Sequence, residues 1–402
     1  MQERYREAFA ALHADRIPYY ARWYHDRPLA IPPARRDELR QLHRVLYKCV
    51  AHMAESYADY VPRFIPLSDR ELALLELQSA FPFRAGTYRP DYLAADDGRL
   101  LLCEITSRFF AHGIFMSFFA EAMADRFLAR FPGRVRSSRF DEMLEYMLGL
   151  VGDRRDIFVL KSADKTGEIR LYAPFYERFG KRVEVLEAGE VEAARPRWQR
   201  GFVLSALNQR DLLSFSRDTH RAMVEAGMVN DLRTVLLIHD KRFMSLWFED
   251  AFTDRCLTRE ETAFLRAHAI PTWPHGVNPE AWEDARRHRE GYILKHCRLG
   301  KSELVFAGPL TPPDVWEALW TEGDVAHMVL QPFVSQRTFP TVWEGTPFDD
   351  YICGMMLCVD DRYFDSGLVR ASSLPVTNLG DDRKLCPLHT DDAVLLAGSD
   401  VL

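Results

Sequence analysis

Arg89-Pro90-Asp91-Tyr92-Leu93-Ala94-Ala95-Asp96-Asp97-Gly98-Arg99-Leu100-Leu101-Leu102-Cys103-Glu104-Ile105-Thr106-Ser107-Arg108 is the stretch on which the reading of the chain turns. It reads as a strand, a tight turn and a second strand. Tyr92 and Leu93 close the first run, Asp96-Asp97-Gly98 is a hairpin turn signal, and Leu100 to Cys103 form the continuous apolar run of a sheet covered on both faces. Such a hairpin brings Asp91 near Glu104. An apolar strand gains no packing from an acid at its end, because an unpaired buried carboxylate is costly and acquires a cation or loses its charge. Two acids meeting there, flanked by Arg89 and Arg108, imply a site for Mg²⁺ and polyphosphate, since Mg²⁺ favours one or two carboxylates plus substrate phosphates. Taken alone, the stretch slightly favours an ordinary surface hairpin with salt bridges; agreement elsewhere in the chain overturns that.

At 402 residues, 47% hydrophobic and 28% charged, the composition is that of an ordinary globular protein. The length leaves room for roughly two or three domains. A net charge of −7 argues against a general nucleic-acid binder and places small molecules first among partners. Cys49, Cys103, Cys256, Cys297, Cys353, Cys358 and Cys386 are odd in number, scattered, mostly in apolar runs and without metal-ligand spacing, as suits buried thiols in a reducing compartment. No leader-like start and no apolar run of membrane-spanning length is seen, so a cytoplasmic location and no membrane partner are expected.

Residues 1–88 read as a helical segment. Gln2 to Leu12 and Arg35 to Tyr60 show helical periodicity, and Ser68 to Glu71 open a further helix with a capping box. His43 and His52 lie beside the apolar stripe and read as packing histidines. Residues 89–150 carry the hairpin and two helices, Gly113 to Phe131 and Phe140 to Leu150. Residues 151–238 read as a small α/β domain: strand Ile157 to Leu160, helix Gly167 to Phe179, strand Val183 to Leu186, then candidate strands Phe202 to Leu204 and Val235 to Ile238 around helix Ser216 to Ala226. A dinucleotide fold is unsupported there, since no GxGxxG is present.

Three separated signals converge on an anion. Lys241 and Arg242 open a helix, where the macrodipole disfavours cations unless an anion lies nearby. Gly291 to Lys295 is a strand ending in lysine, followed by the basic turn Arg298-Leu299-Gly300-Lys301-Ser302, a plausible phosphate cradle that is not GxxxxGK(S/T). Met328 to Val334 reads as an edge strand leading to a hinge, because Pro332 cannot donate to a central ladder. Strands Tyr351 to Val359 and Gly367 to Ser373 follow, and Arg370 near the end of the second calls for a phosphate or carboxylate partner.

In this order the motifs resemble the ATP-grasp superfamily, in its circularly permuted form related to glutathionylspermidine synthetase. The resemblance covers most of the chain from about Arg89 onward. Arg89-Pro90-Asp91 looks like the family's R-x-D element and Glu104-Ile105-Thr106 like E-x-N, while Asp240-Lys241 and Ile293-Leu294-Lys295 look like its two lysine motifs. The resemblance implies an α/β (α+β) fold in permuted ATP-grasp order, with a lid at 239–335 and the rest of the core at 336–402. It implies ATP and Mg²⁺, the metal on Asp91, Glu104 and Thr106. Lys241, Lys295, Arg298, Lys301, Gln331 and Phe333 would contact nucleotide, and Arg89 and Arg370 the reacting groups. Two departures stand out: Thr106 replaces the family's asparagine, so a hydroxyl, a water or Ser107 would complete the metal ligands, and the 298–302 loop is poor in glycine. The implied activity is joining a small-molecule carboxylate to an amine through an acylphosphate, which needs no nucleophilic triad. Alternatives are a non-catalytic nucleotide-binding scaffold and a kinase that stops at phosphoryl transfer.

Overall fold

The computed structural model describes residues 2–163, 167–300, 302–321, 323, 325–381 and 383–402. At its centre the expected hairpin is present, with Thr87–Ala94 paired to Leu100–Thr106 and Asp91 opposite Glu104. Gly98 takes φ +83° in the turn, a left-handed backbone that glycine adopts without strain. Thr346–Val359, Arg362–Ser372 and Arg383–Leu385 extend the hairpin, and Phe339–Trp343 pairs with the first of these, giving an antiparallel sheet of six strands.

Helices cover both faces of this sheet, which is why its strands are apolar throughout. Successive side chains of a strand point to opposite faces. Ile352, Met356 and Cys358 accordingly join the core under helix Pro33–Ser56. Met355, Leu357 and Val359 join the core of Gln2–Leu12, Ser117–Leu128, Phe140–Val151 and Ile169–Arg178. The capping box at Ser68 and Glu71 is formed as expected.

Three smaller sheets surround the centre. The expected βαβ unit is a parallel sheet ordered Arg182–Glu187, Asp156–Lys161, Phe202–Ala206. A second sheet sets Trp273–Pro274, Met328–Pro332, Tyr292–His296 and Val305–Ala307 side by side over its own apolar cluster, which includes Trp282, Trp316 and Leu330. A third places Leu29–Ile31 between Pro387–His389 and Asp400–Val401, parallel to both. The fold is therefore α+β. Among the described residues no helix is long and apolar enough to cross a membrane.

Two expected elements differ. Val235 to Ile238 is not a strand but part of a π-helical segment, Thr234–Ile238, buried throughout. A short, wholly apolar run has no periodicity to separate buried strand from buried helix. Met328–Pro332 is not an edge strand, since it has neighbours on both sides; Pro332 is tolerated because it is the last residue of the strand. In addition, Phe243, Leu246, Trp247, Phe252 and Leu265 pack into the core beneath Pro33–Ser56, so residues 241–267 join the main body rather than the four-stranded sheet.

Candidate functional site

Strand register assembles one cleft between the central and four-stranded sheets. Leu93 lies opposite Cys353 and Cys353 opposite Arg370, so one row across three strands supplies a wall. Ile293 and Lys295, two apart on one strand, share a face, and Gln331 lies opposite Ile293. Glu104, Phe333 and Asn378 complete the lining that concerns the chemistry. Residues as far apart in sequence as Leu93 and Asn378 thus line one cleft.

Beside Glu104, Arg89 grips Asp91 with two hydrogen bonds, Nε to Oδ1 and Nη2 to Oδ2, both 2.8 Å, and its Nη2 reaches Thr106 Oγ1 at 3.4 Å. Burial pushes the Asp91 carboxyl upward and Arg89 opposes it. Arg89, expected at the reacting groups, is buried and committed to Asp91, so it positions the hairpin. Glu104 differs. Burial would raise its pKa, but Lys241, Lys295, Arg89 and Arg370 together hold it at about 2. Lys241 Nζ lies 3.6 Å from Glu104 Oε2 and donates to the Leu299 carbonyl at 2.6 Å, while Lys295 Nζ donates to the Cys103 carbonyl at 3.4 Å.

The anion predicted beside the basic start at Lys241 is in part the protein's own. Asp240 accepts two bonds from the Arg242 guanidinium, at 2.9 and 2.6 Å, a third from Arg242 N at 3.0 Å, and one from Arg298 Nε at 2.9 Å. Arg298 also binds Glu71 Oε1 at 2.7 Å, so its charge is used within the protein and it lines an adjoining cleft instead of this one. Lys301 lies outside the described residues. His239 is kept neutral, its pKa lowered to about 3 by burial and by Arg108 and Lys241; it accepts from Ser107 N and donates to the Arg298 carbonyl.

Gln331 is buried, and its Nε2 donates to Thr272 Oγ1 at 2.8 Å while Oε1 has no partner among the described residues. Sequence reasoning missed Thr272, which sits in a segment without periodicity, and Glu168, whose carboxyl accepts from Gly113 N at 2.9 Å and is pushed up to about 8 by burial.

Among the described residues no group of three or more His, Cys, Asp or Glu could hold a metal ion. Both Asp91 oxygens are taken by Arg89 and the Thr106 hydroxyl also faces Arg89, leaving Glu104 as the available carboxylate of the expected set. These residues fit a Mg²⁺ ion carried in on phosphates, which needs only one or two protein carboxylates, and do not form an all-protein cage.

Comparison with known proteins gives three findings. Residues 40–237, which include the acidic hairpin and the parallel sheet, match the family described as AnkG N-terminal domain. No curated protein matches the chain. Among solved structures, one from Methylobacillus flagellatus KT, described as "Putative gamma-glutamylcysteine synthetase", is similar over 86% of this chain and 88% of its own at 9% identity, with a TM-score of 0.35, too loose to define a shared fold.

Proposed function

We propose that the chain is an ATP-dependent ligase that joins a small-molecule carboxylate to an amine, with ADP and phosphate as the other products. The observation that carries this reading is the crowding of Lys241, Lys295 and Arg370 about the single carboxylate of Glu104. Several cations gathered on one anion repel one another, and a polyphosphate relieves that excess. The order of the motifs along the chain, resembling permuted ATP-grasp enzymes, agrees with it.

In this reading the base lies along Gln331 to Phe333, Lys295 and Lys241 neutralise the phosphates, and Arg370 holds the acid in line with the terminal phosphate. Mg²⁺ accompanying the nucleotide and held by Glu104 would supply further charge neutralisation across the phosphates. An oxygen of the acid takes the γ-phosphoryl group, and ADP leaves with the bridging oxygen. The amine nitrogen then displaces phosphate from the acyl carbon and gives its proton to water. Nothing on the chain has to become a nucleophile, because positioning and charge neutralisation carry most of phosphoryl transfer.

Incubation with ATP, Mg²⁺ and pooled acids and amines, read by mass spectrometry, should yield a product lighter than its two parents by the mass of water, together with ADP and phosphate. AMP and pyrophosphate would instead sink the acylphosphate route. Glu104→Gln should abolish this turnover while the variant still folds; full activity would remove the site. A second reading, nucleotide binding without turnover, is favoured by the closure of Asp91 and Thr106 onto Arg89. It predicts ATP binding with no ADP released in the same screen.

A further inference from the structure

Cys49 lies on the core face of helix Pro33–Ser56 and is wholly buried, whereas Cys256 ends helix Asp250–Cys256 and is half-buried. Cys49 and His52 are about a turn apart on the first helix, and Phe252 and Cys256 about a turn apart on the second, so each pair shares a face. His52 meets Phe252, ring centres 5.2 Å apart, and one turn along the same seam the Cys49 and Cys256 thiols hydrogen-bond each other, so the helices run antiparallel. Neighbours hold the seam on both sides. The Tyr60 ring centre is 5.0 Å from that of Phe252 and its hydroxyl 2.8 Å from His52 Nε2, while Lys48 Nζ binds Glu261 Oε1 at 2.6 Å. The two sulfurs are thus brought together by packing that does not depend on them.

One buried cysteine is no more than a small apolar side chain. Two thiols in contact, one of them open to solvent, can pass through a sulfenic acid to a disulfide. The contact also divides the labour. The Cys49 thiol beside Cys256 lowers the Cys256 pKa, while burial raises that of Cys49, so the thiolate, the reacting form, arises first on the sulfur that solvent reaches. Cys103 and Cys353 also touch, in the wall of the nucleotide cleft, but strand Thr87–Ala94 runs between the strands that carry them. Two strand spacings put those backbones about 9–10 Å apart, beyond the ~7 Å that a disulfide spans.

We propose that Cys49 and Cys256 are a redox-active pair that hydrogen peroxide converts to a disulfide and a dithiol reductant restores. Cys256 attacks one peroxide oxygen as the thiolate; the O–O bond breaks and hydroxide leaves, taking up the proton that Cys256 had lost. Cys49 Sγ then attacks Cys256 Sγ, the S–O bond breaks, and the hydroxyl departs as water with the Cys49 proton. The two thiols lose two electrons, and the peroxide becomes two waters. Lys241–Phe248 leads into helix Asp250–Cys256, so the new bond fastens the segment that carries Lys241 to helix Pro33–Ser56.

The test is hydrogen peroxide treatment of the reduced full chain, alkylation of the remaining thiols and peptide mapping by mass spectrometry. A cross-linked pair of peptides holding Cys49 and Cys256 is expected, two hydrogens lighter than its separate parts, and dithiothreitol should release it. Cys49→Ala should leave Cys256 as a sulfenic acid that dimedone labels, whereas Cys256→Ala should leave Cys49 unlabelled. Oxidised wild type should melt about 5 °C above the reduced form, and Cys49→Ala should show no such rise. Absence of the cross-linked peptides from oxidised wild type would overturn the proposal, a result that does not depend on either variant folding. Dimedone labelling of Cys49 in Cys256→Ala as readily as of Cys256 in Cys49→Ala would overturn the order of attack.

Discussion

The hydroxyl of Thr272 donates to the Ile270 carbonyl at 3.0 Å, and having one proton it can only accept from Gln331. That turns the Gln331 amide nitrogen toward Thr272 and leaves Oε1 as an acceptor on the cleft wall. A purine with an exocyclic amine satisfies this oxygen, whereas one with a carbonyl there sets two acceptors against each other. ATP should therefore bind more tightly than ITP by about 1–3 kcal/mol, measured by calorimetry, and Gln331→Leu should remove the difference. Equal affinity of wild type for both nucleotides would show that the base is read elsewhere. Glu168 carries a different consequence. Its Oε2 has no partner among the described residues, and burial holds its pKa at about 8, against the Gly113 amide and Arg89. The folded protein thus keeps a proton that the unfolded chain releases near the usual glutamate value, so stability falls as pH rises from about 4.5 to about 8. Relative to wild type, Glu168→Gln should gain about 1–2 kcal/mol above that window and little below it. Parallel melting curves for the two proteins across the range would mean that the carboxyl is solvated.

Single charges become elements through Asp240, which holds the start of Lys241–Phe248 by way of Arg242 and the loop after Tyr292–His296 by way of Arg298. Asp240→Asn leaves two buried or half-buried guanidinium groups short of a counter-charge and should cost about 3–5 kcal/mol in denaturant unfolding. It should also speed amide exchange in residues 298–300 of the nucleotide-free protein; exchange there unchanged from wild type would show that Arg298 does not tether them. The hairpin was legible because Asp96-Asp97-Gly98 is a hairpin turn signal with an apolar run on its far side, which reads as the returning strand, so the meeting of Asp91 and Glu104 followed from register. The strand carrying Lys295 was legible as an apolar run ending in lysine, whereas Gln331 entered only through the family resemblance. Val235 to Ile238 was not legible, since an all-apolar run fits a buried helix as well as a strand. The role of Arg298 was also hidden. Glu71 stands 227 positions away, and nothing local in the sequence says that an arginine in a basic loop will be claimed by an acid from the helical segment.

Over the whole molecule, the apolar clusters divide the work. The four-stranded sheet rests on Trp282, Trp316 and their neighbours, a group separate from the two large cores on either side of the central sheet. Trp316→Ala should cost that sheet about 3–5 kcal/mol, enough to expose residues 273–332 to protease while the central sheet keeps its cooperative melt. A single global loss of structure would mean that the sheet has no stability of its own. The small parallel sheet works in the opposite sense. Leu29–Ile31, wholly buried, has one neighbour at Pro387–His389 and another at Asp400–Val401, so its hydrogen bonds wait on residues made hundreds of positions later. At ribosomal speeds of about 5–20 residues per second, the strand stays unpaired for tens of seconds after it is synthesised. For that interval it is an apolar segment open to wrong partners, so a holding chaperone should raise the yield of folded chain made by cell-free synthesis, up to the point at which residue 401 emerges and closes the sheet around it.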